Sequence, residues 1–267
     1  MNVWEKFGLK SISPSQINKY NDEPALWFAG SVRKAREDAG PAAWRGDAIE
    51  FGLYSYLMGK PTPGKEAERT FEERSAEWSG KHDGEVHPDY DKEFAVIEPG
   101  LARAITAMDA SGYGAPVAYQ LAAEGYLPGC DKIKFYSKPD FIYPGWTLDL
   151  KTSGHIPSKP KDGAPPEAKP DHALAFAIYA CLRGDKCVRG LYVSTAAKPS
   201  SPHVFVELNE NQIETYVNHA VRTIKRMERA MTAALALSEY ECVDPMTALA
   251  ELCSPNLLAR GGGLYPL

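Results

Sequence analysis

The sequence predicts an α/β fold with a helical N-terminal part, and three observations predict it. Up to Gly112 the chain reads as helices separated by Gly and Pro; short β-prone runs follow; further helices then interleave with those runs and close them. No internal repeat is present, so the 267 residues are read as one domain, 1–267. Its parts are 1–112, mainly helical, 113–208, a sheet with one helix, and 209–267, a closing helix and tail.

Each element has a local cause. Ser13-Pro14-Ser15-Gln16 opens a short helix, because Ser13 can cap and Pro14 suits the first helical position. That helix ends near 21–24, and a second helical stretch over 25–39 stops at Gly40-Pro41. The next runs from 43 to 58, ends at Gly59 and has Pro61 beyond it. Residues 60–92 are polar and turn-rich with one helix at 67–78, and read as a surface excursion or lid; another helix spans 99–111. Strands are expected at 117–123, at 132–136 with 140–143, and at 146–151, with Pro144-Gly145 as a tight hairpin turn. Residues 154–170 hold five prolines and three lysines and read as a mobile loop. A helix at 171–183 and strands at 188–194 and 203–207 follow, and Asn209 can cap a long helix from 210 to 236.

Composition narrows the class. Hydrophobic content of 44% and charged content of 24% are ordinary for a globular protein. No apolar run is long enough to span a membrane, and Met1–Lys10 lacks the apolar core of a secretory signal, so a cytoplasmic location is expected. The five cysteines are spread, without a CxxC pair, which points to free thiols rather than a zinc or iron–sulfur site. A net charge of -5 counts against a strongly basic nucleic-acid binder but leaves room for local patches. Two exist: Lys132, Lys134, Lys138, Lys151, Lys159 and Lys161, then Arg222, Lys225, Arg226 and Arg229. His155, Lys159 and Lys161 either contact phosphates or form a solvated basic loop, and the arginine-rich helix face reads as solvated.

The informative segment is 138–153. Strand alternation sends Asp149 and Lys151 to one face and Leu148 and Leu150 to the other, while the hairpin can bring Asp140 alongside. Two carboxylates and an ammonium are costly to bury unless something neutralises the acids. Mg²⁺ or Mn²⁺ would, since these ions prefer carboxylates, waters and phosphate oxygens. Such an ion polarises a phosphate and acidifies a bound water, which a lysine can orient or deprotonate. Asp-x-Lys alone also describes an exposed ion pair; the preceding Pro139-Asp140 and the β-prone flanks set this case apart. Glu50 shares a helical stripe with Leu53, Tyr54 and Leu57, where it either needs a partner such as a metal or answers the helix dipole. Glu124 is a further acid before the hairpin and reads as solvent-facing.

Pro139-Asp140 with Asp149-Leu150-Lys151 resembles the signature of the PD-(D/E)XK nuclease superfamily, in particular its RecB-like and phage-type exonuclease branch with lambda exonuclease and exonuclease VIII. Ser13-Pro14-Ser15-Gln16-Ile17 with Pro24 resembles that branch's opening helix, and Arg45-Gly46-Asp47-Ala48-Ile49-Glu50 its ligand-bearing helix. The 171–183 helix resembles the segment with a Gln-x-x-x-Tyr motif: Tyr179 fits, but Ala175 stands where glutamine is expected, leaving His172 as a substitute or His172 with Phe176 as the other register. The resemblance implies a restriction-endonuclease-like core, a central mixed β-sheet flanked by helices. It implies a DNA nuclease with two Mg²⁺ or Mn²⁺ ions held by Glu50, Asp140, Asp149 and the Leu150 carbonyl, with Lys151 at the attacking water. Arg45, Ser13, Ser15, Lys159 and Lys161 would face DNA. An exonuclease of phage recombination or DNA repair, working beside a single-strand annealing protein, is the implied role. A structure-specific or restriction-type endonuclease and an inactive DNA-binding module are the other readings. The oligomeric state stays open.

Overall fold

A computed structural model describes residues 2–35, 38–158, 163–241 (at 241 the backbone only) and 243–254. Capping chemistry sets its N-terminal part. Asn2 and Glu5 form a capping box on α1 (Val3–Lys6), which buries Trp4. After β1 (Ser11–Ile12), Ser13 and Gln16 do the same on α2 (Pro14–Asp22): the Gln16 N–H donates to Ser13 Oγ at 3.4 Å and the Ser13 N–H to Gln16 Oε1 at 2.8 Å. The next helix is shorter than its sequence suggests. α3 (Pro24–Trp27) passes into a π-turn, Phe28–Val32, and stops there. Lys34 takes a left-handed φ of 61° and its ammonium donates back to the Ser31 carbonyl at 2.6 Å, which closes the helix end.

α4 (Pro41–Leu57) and α5 (Pro63–Lys81) pack together. The latter corrects the expected lid: it is one 19-residue helix whose Ala67 and Phe71 are fully buried. Gly52 permits the approach, since a Cβ there would lie 2.9 Å from both Ala67 Cβ and Leu101 Cδ2. α6 (Tyr90–Phe94) and α7 (Ile97–Ser111) complete this part, and Gly112, at φ 69°, ends α7.

The strand region forms two mixed sheets rather than one. β2 (Ala118–Tyr119), β5 (Phe141–Tyr143), β6 (Trp146–Ser153), β7 (Cys187–Ser194) and β8 (His203–Leu208) make a five-stranded sheet in the order β2-β5-β6-β7-β8, parallel only between β6 and β7. β3 (Ala123–Leu127) and β4 (Cys130–Ser137) join β1 in the order β1-β4-β3. The expected 117–123 strand is split because Gln120, at φ 47°, turns the chain from one sheet to the other. Gly145, at φ 78° behind Pro144, makes the β5–β6 turn.

The five-stranded sheet separates two cores. Leu148, Leu150, Leu191 and Val193 share a cluster with Ile49, Leu53 and Leu101 of α4 and α7. Val188, Tyr192, Val204 and Val206 share the other with α8 (Pro170–Arg183), α9 (Glu210–Glu241) and α10 (Pro245–Leu252), the last capped by Asp244. Gly190 of β7 stands opposite Asp149, and its missing side chain admits the Phe176 ring: a Cβ there would lie 2.6 Å from Phe176 Cε2 and 2.9 Å from Val206 Cγ2. Gly190→Ala is therefore expected to cost about 2 kcal/mol by overpacking, or roughly 6 °C in Tm. An unchanged thermal melt would show that the Phe176 ring moves aside freely. Among the described residues no helix is long and apolar enough to cross a membrane, and the four described cysteines are free.

Candidate active site

The β5–β6 hairpin places the first three side chains. Asp140 directly precedes β5, and its Oδ2 accepts the Leu150 N–H at 2.7 Å across the hairpin. On β6, Leu148 and Leu150 enter the core beside α4, while Asp149 and Lys151 take the opposite face. The Lys151 ammonium pairs with Asp149 Oδ2 and lies 6.0 Å from the Phe176 ring centre. That Asp149 oxygen, although in an ion pair, accepts no well-aligned hydrogen bond. α4 supplies Glu50, whose Oε1 accepts from Gln120 Nε2 at 2.6 Å and whose charge the nearby Tyr119 hydroxyl favours. The three acids are 9%, 8% and 1% exposed for Glu50, Asp140 and Asp149, so water screens their charges poorly.

The three acids lie close enough to influence one another electrostatically. Burial pushes the Glu50 carboxyl up to about 7, partly opposed by the Gln120 bond and reinforced by Asp149. Burial, then Asp149 and Glu50, hold Asp140 well above the usual carboxylate range. Burial works against the Lys151 ammonium, but Asp149 and Asp140 outweigh it and keep it charged. Were all three acids ionised, one ammonium would leave a surplus of two negative charges, all on oxygen donors. A hard divalent cation matches that surplus in charge and in ligand type. Among the described residues no three acidic, His or Cys side chains already stand at metal-ligand spacing; Gln120, the Leu150 N–H and Lys151 hold the acids instead.

Lys151 opens onto a groove of about 1840 Å³. Ser13, Ser15, Lys19, Lys34, Lys138 and Tyr179 also line it. On α8, His172, Ala175 and Tyr179 face the groove, whereas Phe176 is fully buried under Gly190. Of the two aromatic candidates, Tyr179 lines the groove and Phe176 does not. His172 Nδ1 sits 2.8 Å from the Tyr192 hydroxyl, and burial lowers its pKa. The other residues singled out in the sequence fare differently. Arg45 is turned inward in an ion pair with Glu93 and is not offered to solvent. Arg226 is tied to Asn21 at 2.6 Å. Glu124 is exposed on β3, away from these interactions. Lys159 and Lys161 lie outside the described residues. Tyr119 and Gln120 went unnoticed in the sequence, because they sit in an ordinary β-prone run and nothing in the letters marks a left-handed glutamine.

Comparison with known proteins follows this geometry. The family model of the PD-(D/E)XK nuclease superfamily matches residues 11–244, a span that includes Glu50, Asp140, Asp149 and Lys151. No curated protein matches the chain. Among solved structures, a Eubacterium rectale protein described as a candidate exonuclease is similar in fold, with a TM-score of 0.58 and 16% identity, covering 84% of this chain and 82% of that one. LHK-Exo in complex with dAMP is a more distant likeness, with a TM-score of 0.36 and 10% identity over 75% of this chain and 99% of that one, and carries no argument.

Proposed function

We propose, for a chain that belongs to the PD-(D/E)XK nuclease superfamily, that it hydrolyses DNA phosphodiester bonds with Mg²⁺ or Mn²⁺ as an exonuclease. The observation that carries this reading is the meeting of Glu50 from α4 with Asp140, Asp149 and Lys151 from one hairpin, three buried acids that, once ionised, outnumber the ammonium by two. Two divalent ions, held by Glu50, Asp140, Asp149 and the Leu150 carbonyl, would polarise the scissile phosphate and acidify a water. Lys151 orients that water and offsets charge developing on the phosphate; the acids around it keep it protonated, which suits it to this role rather than to accepting a proton. Tyr179 and His172 line the groove onto which Lys151 opens and would position the strand there.

The groove supplies the substrate path in this reading. Lys19, Lys34 and Lys138, with Ser13 and Ser15, face it and can bind phosphate oxygens without reading bases. A cytoplasmic role in phage recombination or DNA repair, beside a single-strand annealing protein, is part of the proposal and rests on the sequence resemblance. Digestion of end-labelled linear duplexes with Mg²⁺, Mn²⁺ or chelator tests it. Metal-dependent release of nucleotides from ends, with covalently closed circles left intact, is expected. Cutting of closed circles at the linear rate would instead make it an endonuclease, and no metal-dependent cleavage of any DNA would overturn the reading.

A further inference from the structure

We infer that Gln120 is a positioning residue that locks the Glu50 carboxylate to the Asp140 strand, so that a divalent ion meets both acids already aligned. Three observations converge on it. Its backbone lies at φ 47°, a region that glutamine rarely occupies and that costs energy unless surrounding contacts hold it. Its N–H donates to the Asp140 carbonyl at 2.9 Å, prolonging the β2–β5 pairing by one residue past Tyr119 and Phe141. Its side-chain amide donates to Glu50 Oε1 at 2.6 Å. One residue therefore ties the backbone that carries Asp140 to the side chain that α4 delivers.

The left-handed turn is what makes both bonds possible. An extended residue at 120 would continue β2, and the chain would not break away towards β3. Tyr119 reinforces the arrangement: its ring stacks on Tyr54, one turn along α4 from Glu50, with centroids 4.2 Å apart and an 11° interplanar angle. A carboxylate has about four lone-pair positions, so the Gln120 amide leaves room for a cation. Groups that orient a ligand in this way typically change metal affinity by about 10- to 100-fold when removed. The inference rests on the metal-site reading above, and the test separates the two.

The experiment compares wild type, Gln120→Gly and Gln120→Leu by thermal unfolding across a MgCl₂ or MnCl₂ titration, alongside cleavage of linear duplex over the same metal range. Glycine relieves the left-handed backbone and keeps the N–H bond to Asp140, so the metal-free melting temperature should stay close to that of wild type. Its half-saturating metal concentration should rise about tenfold or more, in melting and in cleavage alike, with KM for DNA unchanged. Gln120→Leu should show the same rise, with a lower metal-free melting temperature. Wild-type metal affinity in Gln120→Gly would overturn the inference while leaving the nuclease reading intact. A wild type that gains no stability and no activity from either metal would overturn both.

Discussion

Asp140→Asn yields a protein that no longer cleaves DNA yet, without metal, unfolds at a higher temperature than the wild type at pH 8. The reason lies in the crowding of acids. Asp140 is buried, and Asp149 and Glu50 both disfavour its ionised form. An asparagine keeps an oxygen to accept the Leu150 N–H, now 2.7 Å from Asp140 Oδ2, and removes one of the mutually repelling charges. The sign follows from linkage. A carboxyl whose folded pKa is raised binds its proton more tightly when folded, so stability falls as pH rises from the unfolded pKa through the folded one. For Glu50 that window runs from 4.5 to about 7. With each tenfold change in acidity equal to about 1.4 kcal/mol, Glu50 alone contributes a loss of roughly 3 kcal/mol by pH 8. Asp140→Asn should recover part of the combined penalty and so raise the metal-free Tm at pH 8. Mg²⁺ should stabilise the wild type more at pH 8 than at pH 5.5 and leave the variant little changed. A variant that melts lower than wild type at pH 8 would show that Asp140 is held by favourable contacts rather than strained by its neighbours.

Lys151→Ala carries the other large effect. Cleavage should fall by about 10²- to 10³-fold at saturating metal, with KM for DNA little altered, because the ammonium acts at the reacting water rather than in gripping the strand. The same change leaves Asp149, 1% exposed, without the cation it pairs with. The metal-free variant should therefore lose about 3 kcal/mol, and Mg²⁺ should restore more stability to it than to the wild type. Single-turnover cleavage and thermal melts with and without metal measure both. Wild-type cleavage by Lys151→Ala would remove the lysine from the chemistry altogether.

The hairpin acids were legible in the sequence because strand alternation has only two outcomes. Once Leu148 and Leu150 are assigned inward, Asp149 and Lys151 must share the other face, and Pro144-Gly145 returns the chain beside Asp140. The helix starts at Ser13 and Asn209 were equally readable, since a cap is a local hydrogen bond: the Gln212 N–H donates to Asn209 Oδ1 at 3.0 Å. What failed to show depends on contacts between distant segments. α5 buries only Ala67 and Phe71 fully, too sparse a seam to stand out in a polar stretch, and it is fixed by α4 rather than by its own pattern. The turn at Gln120 contradicts its residue's preference and is held by Glu50 and Asp140, 70 and 20 positions away. The choice between Phe176 and Tyr179 was open because a glycine on β7, not anything on α8, makes the hole that Phe176 fills.

A crystal structure with Mn²⁺, read by anomalous scattering, tests the centre directly. The expected map has metal density touching the carboxylates of Glu50, Asp140 and Asp149 and the Leu150 carbonyl, with the Lys151 ammonium displaced from Asp149. Density bound elsewhere, or an empty pocket with all three acids still on their present partners at saturating Mn²⁺, would contradict the account.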